Sequence, residues 1–395
     1  LQVQTIDFGN PRMMIAISIL LFMASAAGLV LFAAQTVYLR RFLRRPTPMP
    51  TGPLPGISVL KPLSGLDDGL EENLQSFAVL DYPAVEVLLG FKSERDAALP
   101  LARAMVARWP QRFRIVFQRG TPGLNPKVNQ LITLAQEAQH DVLVVSDASV
   151  RVDAGFLPEI AAQFERPEVG LVTHAVVGSG EQTLGSFCDN VRLTTYDSTG
   201  PVATQQLAQQ DIVLGKSMAF RRSDLDALGG FESVKDVLSE DFVLGRRVSQ
   251  QLRKRVVIAR NIPLTISQHR TIQGFVQRYG RFAILQRHAA GIVVFSLQTL
   301  MNPAFLGLVA FLLAPSVRAA VLLATISFAR SAISVYQMRL MRPEKLAWWG
   351  LFLVPVSDLL SGWAWVHGLL HDRVEWRGHA LQVTAGTRLV PIATT

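Results

Sequence analysis

The sequence predicts an α/β domain on a mostly parallel sheet, held between a membrane anchor near the N-terminus and membrane helices near the C-terminus. Three observations carry this expectation. Short β-branched runs alternate with helical patterns from about residue 57 to 272, the pattern of parallel strands joined by right-handed helical crossovers. Residues 14–38 form an apolar run without Asp, Glu, Lys or Arg, enough to cross a bilayer core of about 30 Å. From Gly291 onward the chain is apolar again, which accounts for a hydrophobic share of 49% and a mean hydropathy of +0.28.

Residues 1–45 are read as the anchor. Arg40, Arg41, Arg44 and Arg45 follow its apolar run, and Arg12 alone precedes it, so the charge asymmetry places the next segment in the cytoplasm. A cleaved signal peptide would have its basic residues first and a small-residue cleavage site after the run. Residues 46–56 contain PTPMPTGPLP, too proline-rich for helix or central strand, and form a stiff spacer. Within residues 57–272, strands are expected at 57–60, 85–91, 114–118 and 142–146, with helices at 69–80, 94–108 and 127–139 between them. Residues 273–290 are basic and aromatic, and suit an interfacial helix with Phe275, Tyr279, Phe282 and Leu285 on its apolar side. Residues 291–371 read as three spans, at 291–313, 318–338 and 345–370. Pro355 and Asp358 interrupt the last, leaving a re-entrant segment as the alternative. Three spans would put the basic tail, residues 372–395, outside, whereas Arg373, Arg377 and Arg388 favour the inside.

A net charge of +9 and a pI near 10.1 suit polyanions such as anionic headgroups and nucleotide diphosphates. No basic-aromatic motif of a nucleic-acid module accompanies the charge, so nucleic acid is not expected as a partner. The single cysteine, Cys188, excludes an internal disulfide and Cys-rich zinc sites, and fits a reducing compartment.

Ligands of such sheets sit beyond the carboxyl ends of the strands. Residues 142–149 read VLVVSDAS, placing Asp147 at such an end, where a carboxylate can face a divalent metal and phosphate oxygens or simply cap the next helix. Glu240 and Asp241 open an apolar helical pattern; they suit the helix dipole, and equally a general base for an acceptor hydroxyl. In the run GLNPKVN, Asn-Pro opens a helix at Lys127 and offers backbone donors and a cation to phosphate. The spacing is not that of a P-loop. Arg278 and Arg281 share one helix face beside Phe282, suited to clamping a pyrophosphate or touching anionic lipid.

Taken in order, Lys61-Pro-Leu, Asp96, the Gly-Leu-Asn-Pro-Lys run, Asp147, Glu240-Asp241 and Arg278-x-x-Arg281-Phe282 resemble the pattern of processive-type GT-A glycosyltransferases. The sequence is most similar to the ceramide glucosyltransferase family, which includes bacterial hopanoid-associated glycosyltransferases, over nearly the whole chain. The resemblance implies a Rossmann-like GT-A domain and a hexosyltransferase that moves sugar from a UDP-sugar to a lipid alcohol with inversion. It further implies that Asp96 contacts the nucleotide, Asp147 the metal-diphosphate with Mg²⁺ or Mn²⁺, and Lys127, Arg278 and Arg281 the phosphates. Asp241 becomes the base, with Glu240 and Phe282 on the acceptor side. Phe282 departs from the family's tryptophan, and Ser149 stands where a second metal-binding acid would.

A polysaccharide synthase shares the transfer residues but needs more spans to line an export channel. A dolichol-phosphate-type transferase shares the domain without reason for the Lys-Pro-Leu and Asn-Pro-Lys set. A membrane-tethered binding module would need none of the carboxylates. The resemblance implies an integral protein of a bacterial inner membrane acting on a hopanoid polyol or a ceramide, with its catalytic domain in the cytoplasm as the charge asymmetry expects.

Overall fold

The computed structural model describes residues 10–210, 212–342, 344, 349–376 and 379–392. Helix α1 spans Pro11–Leu43; the Asn10 side chain accepts from the Arg12 N–H, and Pro11 occupies the first turn, where its missing donor costs nothing. Arg40 and Arg41 lie in its last turn, where they favour the carbonyl end of the helix dipole.

The central sheet contains β1 (Ile57–Pro62), β2 (Val85–Phe91), β3 (Phe113–Phe117), β4 (Val142–Ser146), β6 (Val169–His174), β8 (Ser217–Arg221) and β9 (Arg255–Ala259) in the order β3-β2-β1-β4-β8-β6-β9. The first four are parallel, as expected. Strand β8 runs antiparallel to both β4 and β6, which the alternating pattern did not foretell. A small sheet joins β5 (Val150–Arg151), β10 (Leu264–Ile266) and β7 (Val177–Ser179).

Strand β1 is buried along its whole length because helices cover both faces. Ile57 and Val59 face a core shared with α2 (Leu70–Ala78), α3 (Leu99–Arg108) and α5 (Phe156–Phe164), through Leu74, Phe77, Ala102 and Ile160. Leu60, Leu88, Leu143 and Val145 face the other way, onto Val128, Leu131 and Leu134 of α4 (Pro126–Glu137). Helix α6 (Leu184–Arg192) runs into a π-helical turn, Leu193–Ser198, and then α7 (Thr199–Ala208); α8 (Arg222–Ala227) and α9 (Glu240–Gln250) complete the domain.

The membrane block comprises α10 (Ile272–Leu297), α11 (Pro303–Leu313), α12 (Val317–Met341) and α13 (Gly350–Leu370). Among the described residues, α1 and α12 are long and apolar enough to cross a membrane. The continuous span expected at 291–313 is broken. The helix running through Ile272–Met301 meets α11 at an 83° bend, beside Pro303. Gly291 adds a break inside α10 at φ 81°, a conformation that suits a residue without Cβ. The last segment begins at Gly350; Lys345, where a span was expected to start, lies outside the described residues, as does Arg377. Asp358 on α13 is paired with Arg330 of α12 at 3.2 Å, and that guanidinium lies 3.7 Å from the Phe32 ring of α1. An intramembrane charge is thus matched by a partner and an aromatic face.

One further expectation is corrected. Phe275 and Tyr279 do not face lipid: they are buried against Phe187 and Val191 of α6 and Val354 and Ala364 of α13, since packing inside the protein removes more of their surface than a membrane interface would. The basic tail is folded. It forms a sheet of β11 (Arg373–Trp376), β12 (His379–Thr384) and β13 (Arg388–Pro391), whose Val374, Leu381, Val383 and Leu389 pack on Leu238 and Ile284.

Candidate active site

The carboxyl ends of β1 and β4 carry Lys61 and Asp147 to one place. Lys61 is fully buried; its ammonium donates to Ser146 Oγ at 3.2 Å and to the Asp147 carbonyl at 3.0 Å, and lies 4.2 Å from the Phe77 ring. Burial drives its pKa down to about 7, only partly opposed by Asp147 and Asp67. Its role is to hold the turn that presents Asp147.

Asp147 gathers two further lysines: Lys127 Nζ at 3.0 Å from Oδ1 and Lys216 Nζ at 3.2 Å from Oδ2. Burial raises the Asp147 pKa, but both ammonium groups outweigh it and hold the carboxyl below the usual carboxylate range. Lys127 is likewise disfavoured by burial, yet Asp147, Glu240 and Asp241 together keep it charged. It also bonds Glu240 Oε1 at 2.9 Å and the Gly215 carbonyl at 3.0 Å. Lys216 donates to Ser149 Oγ at 3.0 Å as well. Burial, and the repulsion of nearby Arg278, lower its pKa.

The Asn-Pro-Lys run does what a helix start should. Asn125 Oδ1 accepts from the Lys127 and Val128 N–H groups at 3.0 and 3.1 Å, satisfying donors of the first turn of α4. Its amide nitrogen donates to the Val237 carbonyl at 2.7 Å and to Glu240 Oε2 at 3.4 Å. One side chain therefore starts α4 and ties it to the Glu240–Asp241 segment. Glu240 is buried, and burial raises its pKa against the pull of Lys127. Asp241, less buried, accepts from Ser239 Oγ at 2.9 Å and from its neighbour's N–H, Phe242, at 2.8 Å, both through Oδ1. Its Oδ2 lies against Gly215, where any Cβ would collide with it; glycine there leaves the carboxylate its room.

Asp147, Lys127, Glu240 and Asp241 thus meet, as the motifs suggested. Asp96 does not reach this group. It accepts from the Gly65 N–H at 3.0 Å and from the Ala98 N–H at 2.9 Å, bracing the loop after β1. Arg278 turns inward to Asp189 at 3.3 Å, which also holds Arg270 at 2.8 Å and the Tyr279 hydroxyl at 2.9 Å. The guanidinium groups of Arg278 and Arg281 lie 5.4 and 5.9 Å from the Phe282 ring. Lys216 and Asp189 were not singled out in the sequence. Lys216 precedes a strand in a loop without motif, and Asp189 is one polar residue inside a helix.

As for a metal, the described residues contain no group of three or more His, Cys, Asp or Glu set to hold one. Asp147 fits a hard divalent ion as a lone protein ligand. Of its two ammonium partners, Lys127 also bonds Glu240 Oε1 and the Gly215 carbonyl, whereas Lys216 otherwise bonds the neutral Ser149 Oγ, so an ion at Asp147 would take the charge partner of Lys216 unless the diphosphate replaces it. Mg²⁺-type sites commonly use one or two carboxylates and complete their shell with substrate phosphates and water.

The sequence pattern of the family described as Glycosyl transferase family 21 matches residues 20–389. Ceramide glucosyltransferase 1 of Caenorhabditis elegans is 28% identical over 60% of this chain and 51% of its own length. Ceramide glucosyltransferase 3 of the same organism is 24% identical over 86% of this chain and 75% of its own length. The chain thus spans about half the length of the first of these relatives. Among solved structures, the mannosyltransferase PcManGT from Pyrobaculum calidifontis, in complex with GDP-Man and Mn²⁺, superposes with a TM-score of 0.55 at 19% identity, covering 88% of this chain and 99% of that one. The likeness shows the fold, an α/β GT-A domain. With the match running from the N-terminal helix to the C-terminal sheet, the chain belongs to glycosyl transferase family 21.

Proposed function

We propose that the chain transfers a hexose from a UDP-sugar to a hydroxyl of a membrane lipid, a ceramide or a polyhydroxylated hopanoid, with inversion. One observation carries the reading. Asp147 and Glu240 meet two lysines at the sheet's carboxyl edge with Asp241 beside them against Gly215, while Leu238, just before them, packs with Ile284 of α10, the helix that enters the membrane block. The reading takes this edge as the donor site and α10 as the side from which the lipid reaches it.

Asp241 takes the proton of the acceptor hydroxyl as it attacks the anomeric carbon; the bond to the UDP oxygen breaks on the opposite face, so no covalent intermediate is needed. Lys127, Lys216 and Arg278 oppose the charge that develops on the departing diphosphate. Asp96 keeps the loop after β1 in place for the nucleotide. Asp147 would hold Mg²⁺ or Mn²⁺ with the diphosphate, and the ion would add Lewis-acid stabilisation of the leaving group.

The test is transfer by the purified full chain in lipid bilayers, with UDP-sugars, ceramide or a hopanoid polyol, and mass spectrometry of the lipids. A glycolipid whose formation stops in excess EDTA and returns with Mg²⁺ or Mn²⁺ is the expected result. Full turnover in EDTA, together with an active Asp147→Ala variant, would remove the metal from the reading. Absence of any lipid product would remove the transfer.

A further inference from the structure

The path of the chain through the membrane block follows from which helix ends touch the catalytic domain. Helix α1 meets the domain at Leu39 and Phe42, which share a cluster with Ala175 and Val177. Toward its other end, the Ser18 hydroxyl donates to the Ala310 carbonyl of α11 at 2.8 Å. The end of α11 therefore lies at the far end of α1, away from the domain. Helix α10 starts at the domain, where the Arg270 carbonyl just before it accepts from the Thr183 hydroxyl at 2.6 Å. The bent pair α10–α11 thus leads from the domain to the far side. Helix α12 begins there, at Val317, and returns: Met341 joins the cluster of Leu39 and Phe42, and Arg342 pairs with Glu181 at 2.7 Å.

Helix α13 follows a different course. At its start the Trp349 ring lies 5.7 Å from the Phe187 ring of α6, and the Ser357 hydroxyl donates to the Cys188 carbonyl at 3.2 Å. It meets α12 only through the domain-side half of that helix, at Arg330, Val335 and Met338. At its end Arg287 donates to the Leu369 carbonyl at 2.7 Å. Strand β11 follows, with Val374 in one cluster with Leu124 and Leu238, and a bridge joins Val237 to Arg388. Both ends of α13 are held by one domain, and that domain lies on one side of the bilayer.

Burial sorts the faces of α13. Val354, Ser357, Asp358, Ser361, Ala364 and Gly368 are buried. Phe352, Trp363 and Leu370 are 71%, 59% and 70% exposed; about three and then two helical turns apart, they share the opposite face. Small and polar residues turned inward, with large apolar ones outward, mark a helix packed on protein and covered by lipid. The span α12 has the same outer character, with Val321 and Phe328 at 59% and 68%. Yet α13, at 21 residues, is not among the helices apolar enough to cross.

We infer that α13 does not cross the membrane: it lies along the leaflet on the domain's side, with lipid covering the face of Phe352, Trp363 and Leu370. Among the described residues the crossings are then α1, the pair α10–α11, and α12. The C-terminal sheet returns to the domain's side, where Arg373 and Arg388 favour it, and the conflict between three C-terminal spans and a basic tail disappears. Trp363 fits the headgroup level that tryptophan prefers.

Two measurements on the full chain test this. Single variants Thr47→Cys, Arg318→Cys and Ala385→Cys place a thiol at exposed positions in the spacer, at the start of α12 and in the tail; the native Cys188 is buried. With a membrane-impermeant thiol reagent in intact cells, Ala385→Cys should behave as Thr47→Cys does and opposite to Arg318→Cys, with all three reacting after lysis. Ala385→Cys behaving as Arg318→Cys does would overturn the inference, whichever way the whole chain is oriented. The second measurement uses spin labels on Phe352→Cys, Trp363→Cys and Leu370→Cys in bilayers, with depth read from collisions with oxygen and with a water-soluble nickel chelate. The three depths should agree within about 10 Å, a third of the hydrocarbon core. A steady change of about 27 Å from 352 to 370, the rise of a crossing helix at about 1.5 Å per residue, would overturn it. Labels shielded from both collision partners would show that protein, a second copy included, covers this face in place of lipid.

Discussion

Lys61 shows how a buried charge can serve geometry. Its ammonium holds the Asp147 turn at the cost of full burial, and its pKa falls from 10.5 to about 7. Between those values the unfolded chain binds more protons than the folded one, so stability rises with pH there. Replacing the charge with an apolar side chain removes the penalty, which is largest below pH 7. Lys61→Met should therefore gain on the wild type most near pH 6 and least near pH 10, read as the difference in Tm across pH; a difference independent of pH would mean that Lys61 is not depressed. At this scale much of the site was legible. Asp147, Lys127 and Glu240-Asp241 stand in recognisable short runs. Lys216 does not, because its role depends on β8 lying antiparallel beside β4, with Ser217 opposite Ser146. That pairing sets residue 216 next to residue 147, and no local pattern announces it.

At the scale of elements, the C-terminal sheet has the clearest structural task. The Leu238 N–H donates to the Thr387 carbonyl at 2.9 Å, and the Leu389 N–H to the Asp236 carbonyl at 2.8 Å. The loop leading to Glu240 and Asp241 is thus pinned from the tail. Deleting residues 371–395 should lower kcat by about tenfold or more while leaving UDP binding within a few-fold, since a base displaced by about 1 Å loses its reach. Equal turnover of the truncated and full chains would leave the sheet without that task. The tail's short strands and basic composition hid this sheet, whereas the strands of the main sheet were legible through their unbroken apolar runs. The bent helix pair was hidden for another reason. Hydropathy measures how apolar a segment is, not whether Gly291 and the Asn302–Pro303 junction let it turn.

At the scale of the whole molecule, the orientation we propose rests on the four arginines after the first apolar run. By the charge rule they would hold the domain on the cytoplasmic side, where nucleotide sugars are available. A cysteine introduced in the spacer at residues 46–55 should resist a membrane-impermeant thiol reagent in intact cells and react after lysis. Cys188 is buried and will not confuse the reading. Labelling of intact cells would reverse the orientation.

The central claim is that Asp241 is the base of a sugar transfer to lipid, and Asp241→Asn tests it most directly. The amide keeps the shape and removes the proton acceptor. In reconstituted bilayers kcat for glycolipid formation should fall by about 10²-fold or more, with UDP-sugar affinity within a few-fold of wild type. A variant that turns over at the wild-type rate would contradict the account.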